Sequence, residues 1–246
     1  MDKFVLREDK DRICTLTLNR PEALNALNMP LFVELRGHVE ALSAQVHHVA
    51  CIILKSAGKS FSAGHDLKDI QKGERPPEPH FQARTIQALA ELPQPVIASV
   101  SGHCYTGGLE LALGSDIIIA SRSAKFADTH SKWGLSPLWG MTQRLPRRVG
   151  QSRAKQMMFT SDVFSVAAAE LMGLIDICVD DEELEQATLN LAERIAANST
   201  YSNQVNKALL SVTDGLSIQA GLAYELAHSP GACTDAQERV ASCGKK

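Results

Sequence analysis

The run Pro95-Val-Ile-Ala-Ser-Val100, followed by Ser101-Gly-His-Cys-Tyr-Thr-Gly-Gly-Leu-Glu-Leu-Ala112, decides how this chain folds. The first six residues have the length and β-branched content of a buried strand. The stretch that follows contains a glycine turn and closes on the helix-forming residues Leu109-Glu-Leu-Ala112. A second such unit precedes it: the strand Val49-Ala-Cys-Ile-Ile-Leu54, then Ser60-Phe-Ser-Ala-Gly-His-Asp-Leu-Lys-Asp69. Strand, glycine turn and helix in that order make an α/β unit.

Working outward, Ile13-Cys-Thr-Leu-Thr-Leu18, Asp116-Ile-Ile-Ile-Ala120 and Ile175-Asp-Ile-Cys-Val179 read as further strands. The spacing predicts helices over roughly residues 30–45, 80–92, 108–114 and 151–172, with more from 181 to the end. Leu184, Ala187, Leu191 and Ile195 share one helix face, and Asp180-Asp-Glu-Glu183 puts acidic charge at its start. The alternation predicts an α/β fold that runs on into an α-helical tail. Gln71-Lys-Gly-Glu-Arg-Pro-Pro-Glu-Pro79 cannot continue a helix and reads as a surface loop within one domain.

The 246 residues, 44% of them apolar, suffice for a sizeable core. Lys and Arg total 25 against 28 Asp and Glu, so a net charge of −3 leaves no basic excess to attract nucleic acid or an acidic membrane. Neither partner is expected. Cys14, Cys51, Cys104, Cys178, Cys233 and Cys243 form no CxxC pair and read as reduced thiols. Charged residues surround the short patch Phe4-Val-Leu6, unlike the apolar run of a signal peptide. No stretch approaches the roughly 20 apolar residues that span a bilayer. A cytoplasmic location is the expectation.

Gly58-Lys59-Ser60 has the ending of a phosphate-binding loop, but Ile53 stands where that loop needs its first glycine. No GxSxG elbow, HExxH or zinc-spaced cysteine–histidine cluster occurs, and no metal is expected. His47 and His48 are adjacent and read as solvated loop residues. What remains is the pair of glycine turns. Glycine after a strand lets backbone N–H groups point into a cleft, and a helix N-terminus adds positive potential there. Two such turns can hold one oxyanion from both sides.

Together these residues resemble the enoyl-CoA hydratase/isomerase (crotonase) superfamily. Asn19-Arg-Pro-Glu-Ala-Leu-Asn-Ala-Leu27 is similar to its first signature, Phe61-Ser-Ala-Gly-His-Asp-Leu-Lys68 to its second, and Gly102-His-Cys-Tyr-Thr-Gly-Gly-Leu-Glu-Leu-Ala112 to its third. Ser115-Asp-Ile-Ile118, Thr142-Gln-Arg-Leu-Pro-Arg-Arg-Val-Gly150 and Gly221-Leu-Ala-Tyr-Glu225 follow in family order. The resemblance implies a spiral of ββα units over residues 1–195 and a helical region over 196–246 that assembles a homotrimer or a dimer of trimers. It implies an acyl thioester of coenzyme A as substrate, with no covalently bound cofactor. The thioester carbonyl is then expected between the backbone N–H groups of His65 and Gly107, which stabilise an enolate. Ala23, Leu24, Ala63, His65, Asp66, Leu67, Lys68 and Gly107 are placed along the coenzyme A path.

Hydration of a 2-enoyl thioester needs a base to activate water at the β-carbon and an acid to protonate the α-carbon. The family's hydratases use two glutamates. Glu110 matches the first, and His130 stands where the second is expected, in Phe126-Ala-Asp-Thr-His-Ser-Lys-Trp-Gly-Leu-Ser-Pro137. Histidine serves as acid or base near neutral pH. His130 therefore either replaces the carboxylate or marks another reaction: isomerisation, decarboxylation or thioester hydrolysis. A third reading is an inactive acyl-CoA-binding protein. Asp128 shares a face with His130 if the stretch is extended. Trp133 and Trp139 read either as acyl-pocket walls or as packed aromatics. Cys243 stands where family members commonly place an adenine-stacking aromatic, and Lys245 and Lys246 are either phosphate ligands or a frayed tail.

Overall fold

Strands whose apolar residues run without interruption need cover on both faces, and a parallel layer between helices supplies it. The computed structural model describes residues 3–243. Its strands are β1 (Val5–Lys10), β2 (Ile13–Leu18), β3 (Cys51–Ser56), β4 (Val96–Val100), β5 (His103–Tyr105), β6 (Ile117–Ser121), β7 (Lys125–Ala127), β8 (Phe164–Ser165) and β9 (Ile177–Val179). One sheet has the order β1-β2-β3-β4-β6-β9 and is parallel except for the β1–β2 pair; β5, β7 and β8 make a second sheet. The helices are α1 (Met29–Ser43), α2 (Leu67–Lys72), α3 (Phe81–Ala90), α4 (Gly107–Ala112), α5 (Met141–Thr160), α6 (Val166–Leu171), α7 (Leu184–Ala197), α8 (Thr200–Thr213), α9 (Ile218–His228) and α10 (Ala236–Cys243).

Successive circuits of the chain stack in register. Ile97 of β4 lies opposite Ile117 of β6 in the large sheet, and Cys104 of β5 opposite Phe126 of β7 in the small one. One circuit earlier, Ser62 bridges in parallel to Cys104; its N–H donates to the His103 carbonyl at 2.8 Å, and Tyr105 N–H donates back to the Ser62 carbonyl at 3.0 Å. The spiral is thus an α/β crotonase-type winding, as the resemblance implied. Its consequence is local: the residues just after Ser62 and just after Tyr105 come side by side. Gly102 lets the circuits close up, since a Cβ there would fall 2.0 Å from the Lys59 carbonyl oxygen.

The large sheet separates two apolar layers. One face, with Leu16, Leu54 and Ala98, packs under α1 and α3 through Phe32, Leu35, Ile86 and Leu89. The other face presents Ile13, Cys51, Ile53, Ile97 and Ile119, and α7 covers it with Ala192, Leu184, Ala187, Leu191 and Ile195. The helical periodicity of that segment is therefore the periodicity of a core face. Beyond α7, by contrast, α9 buries none of its own residues. Among the described residues no helix is long and apolar enough to cross a membrane.

The segment expected as one helix over 151–172 is built differently. α5 begins at Met141, is interrupted at Gly150 (φ 78°) and ends at Ser161 (φ 54°), after which β8 intervenes and Ser165 caps α6 by accepting from Ala168 N–H. Gly150 and Pro146 disguise the first half of α5 in the sequence. β1 carries five outward-facing or half-exposed residues and one buried one, Val5, as a charged edge strand does. β5 and β7 are three residues each, too short for an alternation to register.

Candidate active site

α4 begins after Thr106, whose φ of 50° and ψ of −110° are unfavourable for a β-branched residue. The small sheet imposes them: Thr106 N–H donates to the Ala127 carbonyl at 2.8 Å, and its hydroxyl meets that of Thr129 at 2.5 Å. Gly107 is then the first helical residue, so no helical carbonyl can accept its N–H. On the neighbouring circuit, Gly64 (φ 100°) passes so near the Tyr105 carbonyl oxygen that a Cβ would lie 2.9 Å from it. Leu27 bonds the Gly64 carbonyl at 2.8 Å and Asp66 N–H at 2.9 Å, which skips the N–H of His65. Among the described residues neither the His65 nor the Gly107 amide has an acceptor. A Cβ on Gly107 would stand 3.2 Å from His65 N, so the two amides border one small space.

Glu110 lies within α4 and is 1% exposed. Its Oε1 accepts from Trp139 N–H at 2.9 Å and Met141 N–H at 3.1 Å, leaving Oε2 to face His130 Nε2 at 3.8 Å. The other ring nitrogen, Nδ1, meets Asp128 Oδ1 at 2.5 Å, and that oxygen also accepts the His130 backbone N–H at 3.2 Å. An ionised carboxylate only accepts, so Nδ1 donates to Asp128, and in the neutral ring that tautomer turns the Nε2 lone pair toward Glu110. Burial pushes the Glu110 carboxyl above the usual carboxylate range, and the Met141 amide, His130 and the Trp139 amide offset this only in part. Asp128, fully buried, is the orienting residue that the sequence left without a role.

The profile of the Enoyl-CoA hydratase/isomerase family matches residues 8–238. The chain belongs to this family. A 1,2-epoxyphenylacetyl-CoA isomerase of Escherichia coli (strain K12) is 35% identical to it, over 98% of this chain and 95% of its own. A crotonyl-CoA hydratase of Syntrophomonas wolfei is 32% identical over 96% of this chain and 91% of its own. The crystal structure of an enoyl-CoA hydratase from Bacillus anthracis is similar with a TM-score of 0.92 and 29% identity, over 98% of this chain and 96% of that one. This chain is accordingly an enzyme of the enoyl-CoA hydratase/isomerase family. Hydratase and isomerase names stand among its relatives at similar identity, so the reaction must be read from the site.

In this family member a cavity of about 710 Å³ takes in Ala63, His65, Leu67, Gly107, Glu110 and His130, with Trp133 and Trp139 in its walls. That volume suits a small-molecule ligand. Trp139 is both wall and packed aromatic, since its ring meets Phe32 edge-on at 5.0 Å; Trp133 is 55% exposed. Ala23, Leu24, Asp66 and Lys68 do not line the cavity. Leu24 adjoins it through its carbonyl, which accepts Ala63 N–H at 2.9 Å. The Asp66 carboxylate is spent on structure, accepting Lys68 N–H at 3.0 Å as the cap of α2 and pairing with Arg20 at 3.0 Å. Lys68 is exposed on α2. The Cys243 side chain, Lys245 and Lys246 lie outside the described residues.

Proposed function

We propose that the protein hydrates a 2-enoyl thioester of coenzyme A, its carbonyl oxygen held by the His65 and Gly107 amides. The observation that carries this reading is the 3.8 Å gap between Glu110 Oε2 and His130 Nε2. One water, about 2.8 Å from each, spans such a gap. His130 takes a proton from that water at Nε2 while the oxygen attacks the β-carbon. The alkene electrons move into an enolate, and each amide that meets its oxygen contributes about 10²–10³ in rate. Glu110, whose carboxyl is pushed above the usual carboxylate range by burial, is the acid of this reading and gives the proton on Oε2 to the α-carbon. Transfer of the proton from His130 to Glu110 then restores both groups.

Exposed apolar side chains on the C-terminal helices, Leu210 (73%), Ile218 (81%) and Leu226 (85%), support assembly through this region as a homotrimer or dimer of trimers. Crotonyl-CoA hydration, followed as loss of enoyl-thioester absorbance, tests the catalytic reading. Turnover about 10²–10⁴-fold lower in Glu110→Gln and in His130→Ala supports it. Full turnover in Glu110→Gln overturns it.

The histidine standing for a second carboxylate favours one other reading, in which no water is activated and His130 carries a proton between two carbons of the acyl chain. The likeness to a monofunctional enoyl-CoA isomerase from M. smegmatis, 32% identical over 90% of this chain with a TM-score of 0.78, supports it. Incubation in oxygen-18 water separates the two: a labelled 3-hydroxyacyl product belongs to hydration, a migrated double bond without label to isomerisation.

A further inference from the structure

The cavity holds a second polar cluster that the proposed reaction does not use. His65 Nε2 lies 2.7 Å from Glu74 Oε1, and Gln82 Nε2 donates to Glu74 Oε2 at 2.9 Å. The three residues come from the turn before α2, the loop after it and the first turn of α3. They are held inside: the side chains of His65 and Glu74 are 23% and 14% exposed, and Gln82 is 6% exposed. All three line the cavity beside Leu67, Ile70 and Ala83. Burying an ionised carboxylate and an amide in an apolar wall costs free energy that contact with an alkyl chain does not return.

Hydrogen-bonding capacity is left over. Both oxygens of Glu74 are engaged, and with Glu74 ionised the ring proton of His65 sits on Nε2, which leaves Nδ1 as an acceptor. Gln82 has spent its amide N–H on Glu74, which leaves its Oε1 as a second acceptor. Neither His65 Nδ1 nor Gln82 Oε1 has a partner among the described residues, and neither is sealed within the protein. We infer that His65 and Gln82, held in place by Glu74, form a polar subsite for a hydrogen-bond donor on the acyl chain, and that the preferred acyl group bears a hydroxyl. The inference rests on the reading of this cavity as an acyl-CoA site, and not on which reaction follows.

Pantetheine amides offer the same N–H chemistry, so the test separates the two sources. Hexanoyl-CoA and its 4-, 5- and 6-hydroxy derivatives are titrated calorimetrically; being saturated, they need no turnover. One hydroxylated ligand is expected to bind about tenfold tighter than hexanoyl-CoA, the worth of one hydrogen bond. In Gln82→Leu, and in Glu74→Gln should the first variant fail to fold, that ratio falls to about one. Equal wild-type affinity for all four ligands, or a preference that survives in a folded variant, overturns the proposal. So does equal weakening of hexanoyl-CoA and its hydroxylated partner, which assigns the donor to pantetheine. Absence of binding by any of the four overturns the acyl-CoA reading itself.

Discussion

Glu110 Oε2 stands 3.8 Å from His130 Nε2, while Asp128 Oδ1 holds the far side of the same ring at 2.5 Å. Two buried carboxyl groups therefore flank one imidazole, one at each ring nitrogen. In the reaction proposed above, Asp128 fixes the tautomer, His130 presents a lone pair, and Glu110 supplies a proton to the cavity. In that proposal Asp128 acts through His130 and is a positioning residue.

Asp128→Asn keeps the size of that side chain and reverses the tautomer. An amide N–H facing Nδ1 leaves the ring proton on Nε2, where a base is needed. Turnover is expected to fall about 10²–10⁴-fold, the contribution of a positioned general base, with KM for the thioester kept. Steady-state kinetics on crotonyl-CoA checks this, and a variant that loses only KM contradicts the assignment.

Glu110 makes stability depend on pH with a definite sign. Burial raises its folded-state value above that of the unfolded chain, so its contribution is whole below the unfolded value near about 4.3 and is lost as pH rises through the folded one. Glu110→Gln mimics the protonated form and retains an oxygen for the Trp139 and Met141 amides. Its Tm relative to wild type should be near zero in acid and increasingly positive toward pH 8, at about 2–4 °C per kcal/mol. A difference that does not change with pH shows that burial of this carboxyl is not its source.

Much of this was legible in the sequence, because core and turns leave local marks. β2 and β3 appear as apolar runs, α7 as a period, and the His65 and Gly107 amides, which have no acceptor among the described residues, as glycine turns in chain order. The side chains that complete the site leave no such mark. Glu74 reaches His65 across nine positions from a loop whose prolines said only that it was not helix. The resemblance puts Asp66 on the coenzyme A path, and nothing local in the sequence marks the Arg20 that holds its carboxylate from 46 positions away. Asp128 is the intermediate case: a carboxylate two residues before a histidine is the available signal, but the contact comes from a turn rather than an extended stretch, with His130 in the helical region and both its N–H and its Nδ1 meeting Asp128 Oδ1.

Gly107 and Gly37 predict opposite outcomes for the same change. A Cβ on Gly107 would lie 2.4 Å from Trp139 Cζ3, and that ring is backed by Phe32 at 5.0 Å, so it can yield only into the cavity that it lines. Gly107→Ala should lower kcat/KM by about 10²–10³, as for a lost oxyanion donor, and overpacking should cost about 1–3 kcal/mol. Gly37, exposed on α1, has nothing within 4 Å of its Cβ position. Gly37→Ala is expected to stabilise by up to about 1 kcal/mol through helix propensity, with unchanged kinetics. Thermal melts and crotonyl-CoA assays on the two variants together separate crowding at the site from a general effect of the methyl group.

α9 is an apolar helix with little of its own chain to cover it: Ile218 and Leu226 are 81% and 85% exposed, and none of its residues is buried. A helix of that composition is stable when something else covers its apolar face. If a second copy does so, lysines at these positions bring unpaired charge into the contact, which is costly when desolvated, while touching little within one protomer. Ile218→Lys/Leu226→Lys should therefore lower the molar mass measured by sedimentation or light scattering and leave the far-ultraviolet circular dichroism of the folded chain in place. An unchanged mass places the assembly contact elsewhere. A collapse of the dichroism shows that α9 folds only with its own protomer's support.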